Sequence, residues 1–446
     1  MKNFTRLFLI AAATSVPVVG SAGMLTNMLI GAGVKVAIKV ISKVVDNADD
    51  IQSEEFLGYK LIGGSTSIGS ETVTGSHSDK NITGVEVEMA ATTLKIVGTK
   101  VDVSTSSTSK TVNAFGVYHD DHNSNVLTKY YTTALRIYNG ASIKASATGN
   151  EDSYALGIYS VNWGNGYLGP EPVSNSVEDA TLEVHGYDRA SAAGLYGGRN
   201  TVTSDATVTV SSESGKAYGV YVLETDYFQV GENESMNENR VELLSGTFNV
   251  SVTSGNKSSE EGEETLAVGL FSDSGEIGTL DGAVFNVENK GTSAGNYAYG
   301  LYLKGNTTVE KISDLEVNVS SAADFAGGIV IDTAQDEDGN VFENASVPDM
   351  ENVKVTVVST NARAVGIAKT GDATTKVGTI SGSISVSAAG EVFGYVIGRD
   401  ISGDSDSDSD KMTPGGVTLY NGTTKDSYGF DIDWENITLS ATSTGN

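Results

Sequence analysis

The segment His119-Asp120-Asp121-His122 places two imidazoles and two carboxylates within four residues. Two imidazole nitrogens and a carboxylate oxygen can ligate a divalent metal such as zinc. A pair of carboxylates is also what a glycoside hydrolase needs to cleave a glycosidic bond. The alternative is an ordinary turn, because Asp is common in turns and no further metal ligand lies nearby in the sequence. We favour the turn and predict that the chain is not an enzyme.

A second group of oxygen-bearing side chains, Asp336, Asp338 and Asn340, stands at alternate positions. This spacing is that of the opening of a calcium-binding loop. However, Val341 occupies the position that needs glycine for the sharp turn, and Val347 stands where such a loop has glutamate. A weak Ca²⁺ site is therefore a hypothesis beside that of a solvated loop, and no other cofactor is predicted.

Aromatic side chains recur at the end of one repeated phrase. They are Tyr118, Tyr159, Tyr196, Tyr221, Phe271 and Tyr302. If the repeats stack, these rings form a ladder along one side of the molecule. One interpretation is a platform on which sugar rings or partner side chains lie flat. The other, which we favour, is that the stacked rings stabilise neighbouring repeats.

The phrase that positions these rings is A-x-G-[VIL]-Y, which returns from Ala114–Tyr118 to a ninth, degenerate copy at Val392–Val396. Its glycines are Gly116, Gly157, Gly194, Gly219, Gly269, Gly300, Gly328, Gly366 and Gly394. The closest copies are 25 residues apart and others are farther apart, which is typical of a solenoid whose coils carry loop insertions. The apolar residue after the glycine is predicted to face the core. Strict alternation then puts the Ala, Gly and Tyr positions on the opposite face.

Between copies, apolar and small polar residues alternate, as in Phe248/Val250/Val252 and Val353/Val355/Val357. A period of two indicates a half-buried strand. A shorter strand precedes several of these, for example Ile277–Gly282 and Val377–Gly382. Three short strands per repeat predict an all-β fold, a single-stranded right-handed parallel β-helix over residues 51–446. About eleven coils at roughly 4.8 Å would give a rod on the order of 50 Å long.

The N-terminus has the pattern of a secretory signal peptide over residues 1–22. Lys2 and Arg6 precede the apolar run Leu7–Ala13, and small residues follow at Gly20–Ala22. An uncleaved membrane anchor is the weaker alternative, because polar residues and a proline interrupt the run before it reaches bilayer length.

Residues 23–50 form a second apolar stretch, in which Lys35, Lys39 and Lys43 would line one face of a helix. We predict a short amphipathic helix that caps the open end of the first coil. A helix lying on a membrane surface and a β-strand are the alternatives.

The net charge of the chain limits the kinds of partner that we expect. The 446 residues include 28 Lys and Arg against 57 Asp and Glu, a formal net charge of −29. A surface this acidic repels phosphate backbones and anionic lipid, so nucleic acid is excluded as an expected partner. The chain has no cysteine, so no disulfide supports the fold.

The export signal, the acidity, the lack of cysteine and the coils ending in A-x-G-[VIL]-Y resemble the passenger domain of a bacterial autotransporter, an adhesin-like β-helix, over Glu55–Asn446. The resemblance implies an extracellular or Gram-negative outer-membrane location and contacts with host or neighbouring cells, glycans or further copies of itself. It carries over no site residue.

The sequence departs from that family in lacking a C-terminal translocator barrel, whose strands alternate apolar and polar residues. We therefore expect either a truncated autotransporter or a separate translocator as a partner, and no integral membrane domain in the mature chain. The alternative function is that of a polysaccharide-cleaving β-helix enzyme, a hydrolase or lyase.

Overall fold

The structure is a computed structural model. The residues it describes are 59–61, 67–87, 93–120, 134–161, 174–222, 227–230, 233–236, 239–254, 265–292, 296–322, 325–331, 333–335, 341–360, 363–369, 376–390, 392–397, 417–418 and 432–444. The predicted signal peptide and cap segment lie outside these residues. Within them there is no helix, and hence none long and apolar enough to span a bilayer.

The chain winds through three faces in turn, and the first, which we call the short-strand face, carries the shortest strands. Its strands are Ser67–Gly69, Leu94–Val97, Ala134–Tyr138, Ser174–Val177, Arg199–Val202, Arg240–Leu244, Glu276–Asp281, Thr308–Ser313, Ser346–Val347 and Lys376–Val377.

The second face, the alternating face, contains the strands in which apolar and polar residues alternate. They are Thr72–Ser78, Lys100–Ser106, Ala141–Gly149, Ala180–Asp188, Thr207–Ser212, Thr247–Val252, Val284–Asn289, Glu316–Ser321, Met350–Ser359, Ile380–Ala388 and Ile432–Ser443.

The third face, the glycine-phrase face, contains the repeated phrase. Its strands are Tyr59–Leu61, Ile82–Val87, Asn113–Asp120, Tyr154–Val161, Ser191–Tyr196, Lys216–Val222, Thr265–Asp273, Asn296–Lys304, Phe325–Ile331, Arg363–Lys369, Val392–Ile397 and Val417–Thr418.

Each strand pairs in parallel with the equivalent strand of the next coil, for example Thr207 with Thr247 and Thr247 with Val284. Parallel pairing of successive equivalents is the topology of a parallel β-helix, so the predicted fold class is confirmed. Two antiparallel hairpins follow strands of the glycine-phrase face. They pair Tyr227–Val230 with Asn233–Met236, and Thr333–Gln335 with Val341–Asn344.

One apolar core runs along the inside of the rod. The inward residues of the alternating face, such as Val208 and Val210, are fully buried there. They meet the residue that follows each phrase glycine, such as Val220, which is buried in the same cluster. The predicted inward direction of that residue is therefore confirmed.

The phrase glycines stack into a column in which backbone meets backbone. A Cβ at Gly157 would lie 2.6 Å from the carbonyl oxygen of Gly194, and one at Gly116 would lie 2.7 Å from that of Gly157. Real Cβ atoms essentially never come this close to an oxygen, so only glycine fits. The inward direction of this absent Cβ is shown by the core side chains that it would also meet, such as Ile143 at Gly116.

The strand therefore bends at the glycine, and two successive residues face inward. Because of this bend, the sequence prediction was wrong for the Ala and Gly positions. Ala114 and Ala155 belong to the inner core, whereas strict alternation placed them outside. The Tyr position lies outside that core, as predicted. After the bend, inward and outward side chains alternate again, so the residue that follows the inward one points outward.

Replacement of a column glycine by alanine tests this packing. A Cβ at Gly300 would lie 2.5 Å from the Gly328 carbonyl oxygen and also press on Val317. We expect Gly300→Ala to lower the free energy of unfolding by about 1–3 kcal/mol, since the added methyl overpacks the core. At Gly69 a Cβ meets nothing within 4 Å, so Gly69→Ala is the matched control and should cost little. Urea unfolding compares the two variants, and equal midpoints would contradict the column.

Candidate functional site

The six predicted aromatic rings do form a ladder. Successive ring centroids lie 5.2 Å apart for Tyr118 and Tyr159, 5.5 Å for Tyr159 and Tyr196, 5.0 Å for Tyr196 and Tyr221, 4.8 Å for Tyr221 and Phe271, and 5.5 Å for Phe271 and Tyr302. The first three pairs are stacked nearly parallel, and the last is edge-on. Each coil thus places its ring on that of the coil before it.

The ladder is buried. Tyr118 is 5 % exposed, and the other five rings are less so. They belong to a second apolar cluster on the outer side of the glycine-phrase face, together with residues such as Phe115, Leu156 and Tyr299. No ring face is open to solvent, which favours the packing interpretation. The binding role of the six rings stays a prediction.

Burial also determines the protonation of this cluster. It raises the pKa of Tyr196, Tyr218 and Tyr221, because a tyrosinate would lose its hydration. In the described part of the chain these three hydroxyls have no hydrogen-bond partner. The rings therefore act as neutral packing groups.

His119 lies at the corner where the glycine-phrase face turns towards the short-strand face. Its ring is fully buried, and Nδ1 donates to Asn175 Oδ1 at 2.9 Å. Asn175 in turn donates through Nδ2 to Ser160 Oγ at 2.8 Å and to Asn200 Oδ1 at 3.0 Å. The histidine is thus the first member of a buried chain of side-chain hydrogen bonds, which reaches the backbone where Asn200 Nδ2 donates to the carbonyl oxygen of Gly197 at 2.8 Å.

Of the segment His119–His122, for which a turn was favoured over metal or catalytic chemistry, the structure describes only the side chain of His119. Burial lowers the pKa of His119 to about 4, so the ring is neutral at physiological pH. Asp121, His122 and the side chain of Asp120 lie outside the described residues, as do Asp336, Asp338 and Asn340. Among the residues that are described, no three His, Asp or Glu side chains come together as a metal site. The calcium hypothesis stays a prediction.

An open groove of about 490 Å³ lies on the outer side of the alternating face. Its floor is one row of outward side chains, paired coil by coil. The row contains Thr209, Asn249, Asn286, Asn318 and Thr356. Asn286 Nδ2 donates to Asn249 Oδ1 at 2.9 Å, and Asn318 Nδ2 donates to Asn286 Oδ1 at 3.0 Å. We call the three asparagines the amide row.

Charges beside the groove are paired. Glu316 Oε1 accepts from Lys354 Nζ at 2.8 Å, and this ion pair contributes to the lowered pKa of Glu316. Glu288 Oε2 lies 3.1 Å from Lys290 Nζ. Because Glu288 lines the groove, the groove presents a carboxylate paired with Lys290 in addition to its amides and hydroxyls.

The outer side of the alternating face also carries both large apolar side chains that are exposed in the described residues. Val358, 38 % exposed, lines the groove, and Tyr187, 44 % exposed, lies on an earlier coil. The ring of Tyr187 lies 6.1 Å from that of His185, whose Nδ1 is 2.6 Å from Ser211 Oγ. Tyr187 and Val358 lie on different coils, and single exposed apolar side chains are normal on protein surfaces.

This groove was not predicted, although the sequence contains a signal for it. The triplets around the amide row are Phe248-Asn249-Val250, Phe285-Asn286-Val287 and Val317-Asn318-Val319. Each asparagine lies between two inward apolar residues and so must face outward. The bond between His119 and Asn175 has no such signal, because the two residues are 56 positions apart and belong to different coils.

Acidification tests the buried histidine. The pKa of His119 is lowered from 6.5 to about 4 by folding. Between these two pH values the ring therefore binds a proton in the unfolded chain and stays neutral in the folded chain. The stability contributed by the neutral ring is therefore present above pH 6.5 and is lost as the pH falls towards 4, by about 3 kcal/mol in total. His119→Gln removes this proton uptake while keeping an amide donor for Asn175.

We expect the unfolding free energy of the unaltered chain to fall more steeply between pH 6.5 and 4 than that of His119→Gln. Urea unfolding at several pH values measures both slopes. The carboxylates contribute equally to the two chains, so the difference between the slopes is the contribution of His119. Parallel curves would show that His119 titrates normally.

Comparison with known proteins provides no relative from which a function can be transferred. No protein-family model, no curated protein and no solved structure matches the chain. What supports a function is the fold itself and the outer surface of the alternating face.

Proposed function

We propose that this chain is an exported, adhesin-like binding and structural protein, and that its alternating face binds an extended neutral glycan. The observation that carries the proposal is the amide row in the open groove. The rod supplies rigidity and the row supplies evenly spaced polar groups along it.

Amide side chains suit sugar hydroxyls because both groups donate and accept hydrogen bonds. Asn286 uses one N–H towards Asn249 and accepts one bond from Asn318. A carboxamide has two N–H donors and two lone pairs, so Asn286 retains a donor and an acceptor for a ligand. The bonds within the row also fix the side chains, which lowers the entropy cost of binding.

Successive coils repeat these groups at about 4.8 Å, so a polymer lying along the rod meets similar partners on each coil. A ligand that contacts several coils gains from several weak contacts at once. The net charge of −29 disfavours an acidic polymer, and the paired carboxylates beside the groove leave no excess of cations to attract one.

Export and a location at the cell surface are part of the same proposal. They are supported by the signal-peptide pattern of residues 1–22 and by the resemblance to autotransporter passengers. The partners would then be glycans of host or neighbouring cells.

Replacing the amide row tests the proposal. The triple variant Asn249→Ala, Asn286→Ala, Asn318→Ala removes three ligand contacts worth about 0.5–1.5 kcal/mol each, so affinity for the bound glycan should fall at least about tenfold. Binding to a panel of neutral and acidic polysaccharides identifies the glycan, and titration calorimetry gives the affinities.

The matched control is Thr72→Ala with Thr74→Ala, which alters exposed side chains of the same face at the other end of the rod. The control should bind as the unaltered chain does. No binding to any neutral glycan, or equal affinities for the triple variant and the control, would contradict the proposal.

A further inference from the structure

A serine, a histidine and a glutamate are joined by hydrogen bonds on the outer side of the alternating face. Ser211 Oγ lies 2.6 Å from His185 Nδ1, and His185 Nε2 lies 2.7 Å from Glu183 Oε1. A hydroxyl within hydrogen-bond reach of a base, which is itself oriented by a third group, is the structural signature of an activated nucleophile.

The ladder positions these three side chains. Glu183 and His185 are alternate residues of one strand, so both point outward from it. Ser211 pairs with His185 from the next coil and points outward as well. Both strands pair in parallel with a neighbour on each side, so the group stands on rigid elements and not on a loop.

The direction of both hydrogen bonds follows from the charge of the glutamate. The bond from His185 holds the pKa of Glu183 below its usual range, so this carboxylate is ionised at neutral pH and can only accept. His185 Nε2 therefore carries the hydrogen of that bond. In the neutral ring Nδ1 then has a lone pair, which accepts from the hydroxyl of Ser211. This is the tautomer in which a histidine can act as a general base towards the serine.

The group stands beside the groove. Ser251 pairs with Ser211 from the next coil and lines the groove, as does Thr209, two residues before Ser211 on the same strand. Neighbouring coils are about 4.8 Å apart, so a polymer that follows the amide row comes within about one coil of Ser211. The side chains of His185 and Glu183 are partly exposed, so water can reach them.

We propose that Ser211, His185 and Glu183 form a serine esterase site, which removes acyl groups from the hydroxyls of a glycan held in the groove. The choice of substrate rests on the proposed glycan binding, whereas the reactivity of Ser211 does not. The proposal departs from the sequence prediction that the chain is not an enzyme, which was drawn from the segment His119–His122.

The reaction has two steps. Ser211 Oγ adds to the carbonyl carbon of the ester while its proton passes to His185 Nδ1, and the carboxylate of Glu183 stabilises the imidazolium. The bond to the sugar oxygen then breaks, and this oxygen takes the proton and leaves as a hydroxyl.

In the second step a water molecule adds to the acyl carbon on Ser211 and gives its proton to Nδ1. The carboxylic acid leaves, and Ser211 Oγ recovers a proton from the imidazolium. In both steps the hydroxyl of Ser251, on the neighbouring coil, can donate to the carbonyl oxygen as it becomes negative.

A fluorophosphonate probe tests the reactivity of Ser211 without any glycan. The probe phosphonylates an activated serine with loss of fluoride, and peptide mass spectrometry locates the adduct. We expect the label on Ser211 of the unaltered chain, no label at this position in Ser211→Ala, and labelling of His185→Gln at least about a hundredfold slower. Ser104→Ala is the matched control, since Ser104 stands in the same outward row two coils before His185, and it should be labelled as the unaltered chain is.

Release of acetate tests the substrate. The unaltered chain should release acetate, measured by proton NMR, from an O-acetylated neutral polysaccharide of the binding panel, and Ser211→Ala should not exceed the rate in buffer. p-Nitrophenyl acetate is too small to need the groove, so it separates the two proposals. If only glycan binding fails, this ester is still hydrolysed; if only the esterase fails, it is not, while the glycan still binds.

Three results would overturn the proposal, provided that circular dichroism shows each variant to be folded. They are an unlabelled Ser211 in the unaltered chain, equal rates for Ser211→Ala and Ser104→Ala, and hydrolysis of p-nitrophenyl acetate without release of acetate from any polysaccharide.

Discussion

The structure depends on a close approach of backbone to backbone in the glycine column. At each column glycine, the Cα lies close to the carbonyl oxygen of the glycine in the next coil. A core side chain of the alternating face fills the space into which a Cβ would point. Any side chain here would force the coils apart, and parallel pairing requires about 4.8 Å between them along the whole rod. The constraint explains why glycine persists while the residues around it vary.

The bend at each glycine gives the glycine-phrase face two layers. Ala217 and Val220 face the inner core, and Tyr218 and Tyr221 face the outer cluster. One strand thereby contributes to two apolar clusters at once, and the aromatic ladder is a consequence of stacking. The alternating face, by contrast, keeps polar side chains on its outer side, among them the amides and hydroxyls that line the groove.

The fold could be predicted from the sequence because two local patterns specify it. Alternation in segments such as Phe248/Val250/Val252 fixes which side of a strand is buried, and the repeated phrase fixes the length of a coil. The direction of Ala114 could not be predicted, since it depends on a bend that forms only when glycines of neighbouring coils meet. Burial of Tyr196 likewise depends on what packs on the outer side of the face, which no local pattern records.

The candidate site was less predictable for a similar reason. Residues that attract attention in a sequence, such as His119 and Asp120, carry familiar chemistry, yet His119 proves to be a buried hydrogen-bonding group. Asn249, Asn286 and Asn318 are unremarkable singly and form a row only through the register of the ladder. When a binding surface is built from residues of many coils, it can be recognised only once the register between neighbouring strands is known.

The measurement that tests the stacked rod most directly is a set of distances between pairs of spin labels. Thr72, Thr181, Thr247, Glu316 and Ser383 occupy one outward row of the alternating face. With one label on Thr72→Cys, moving the second label from position 181 to 247, 316 and 383 adds two coils each time. The distance should then grow by about 10 Å at every step, since each coil adds roughly 4.8 Å. Distances that do not increase linearly along this series would contradict the parallel β-helix.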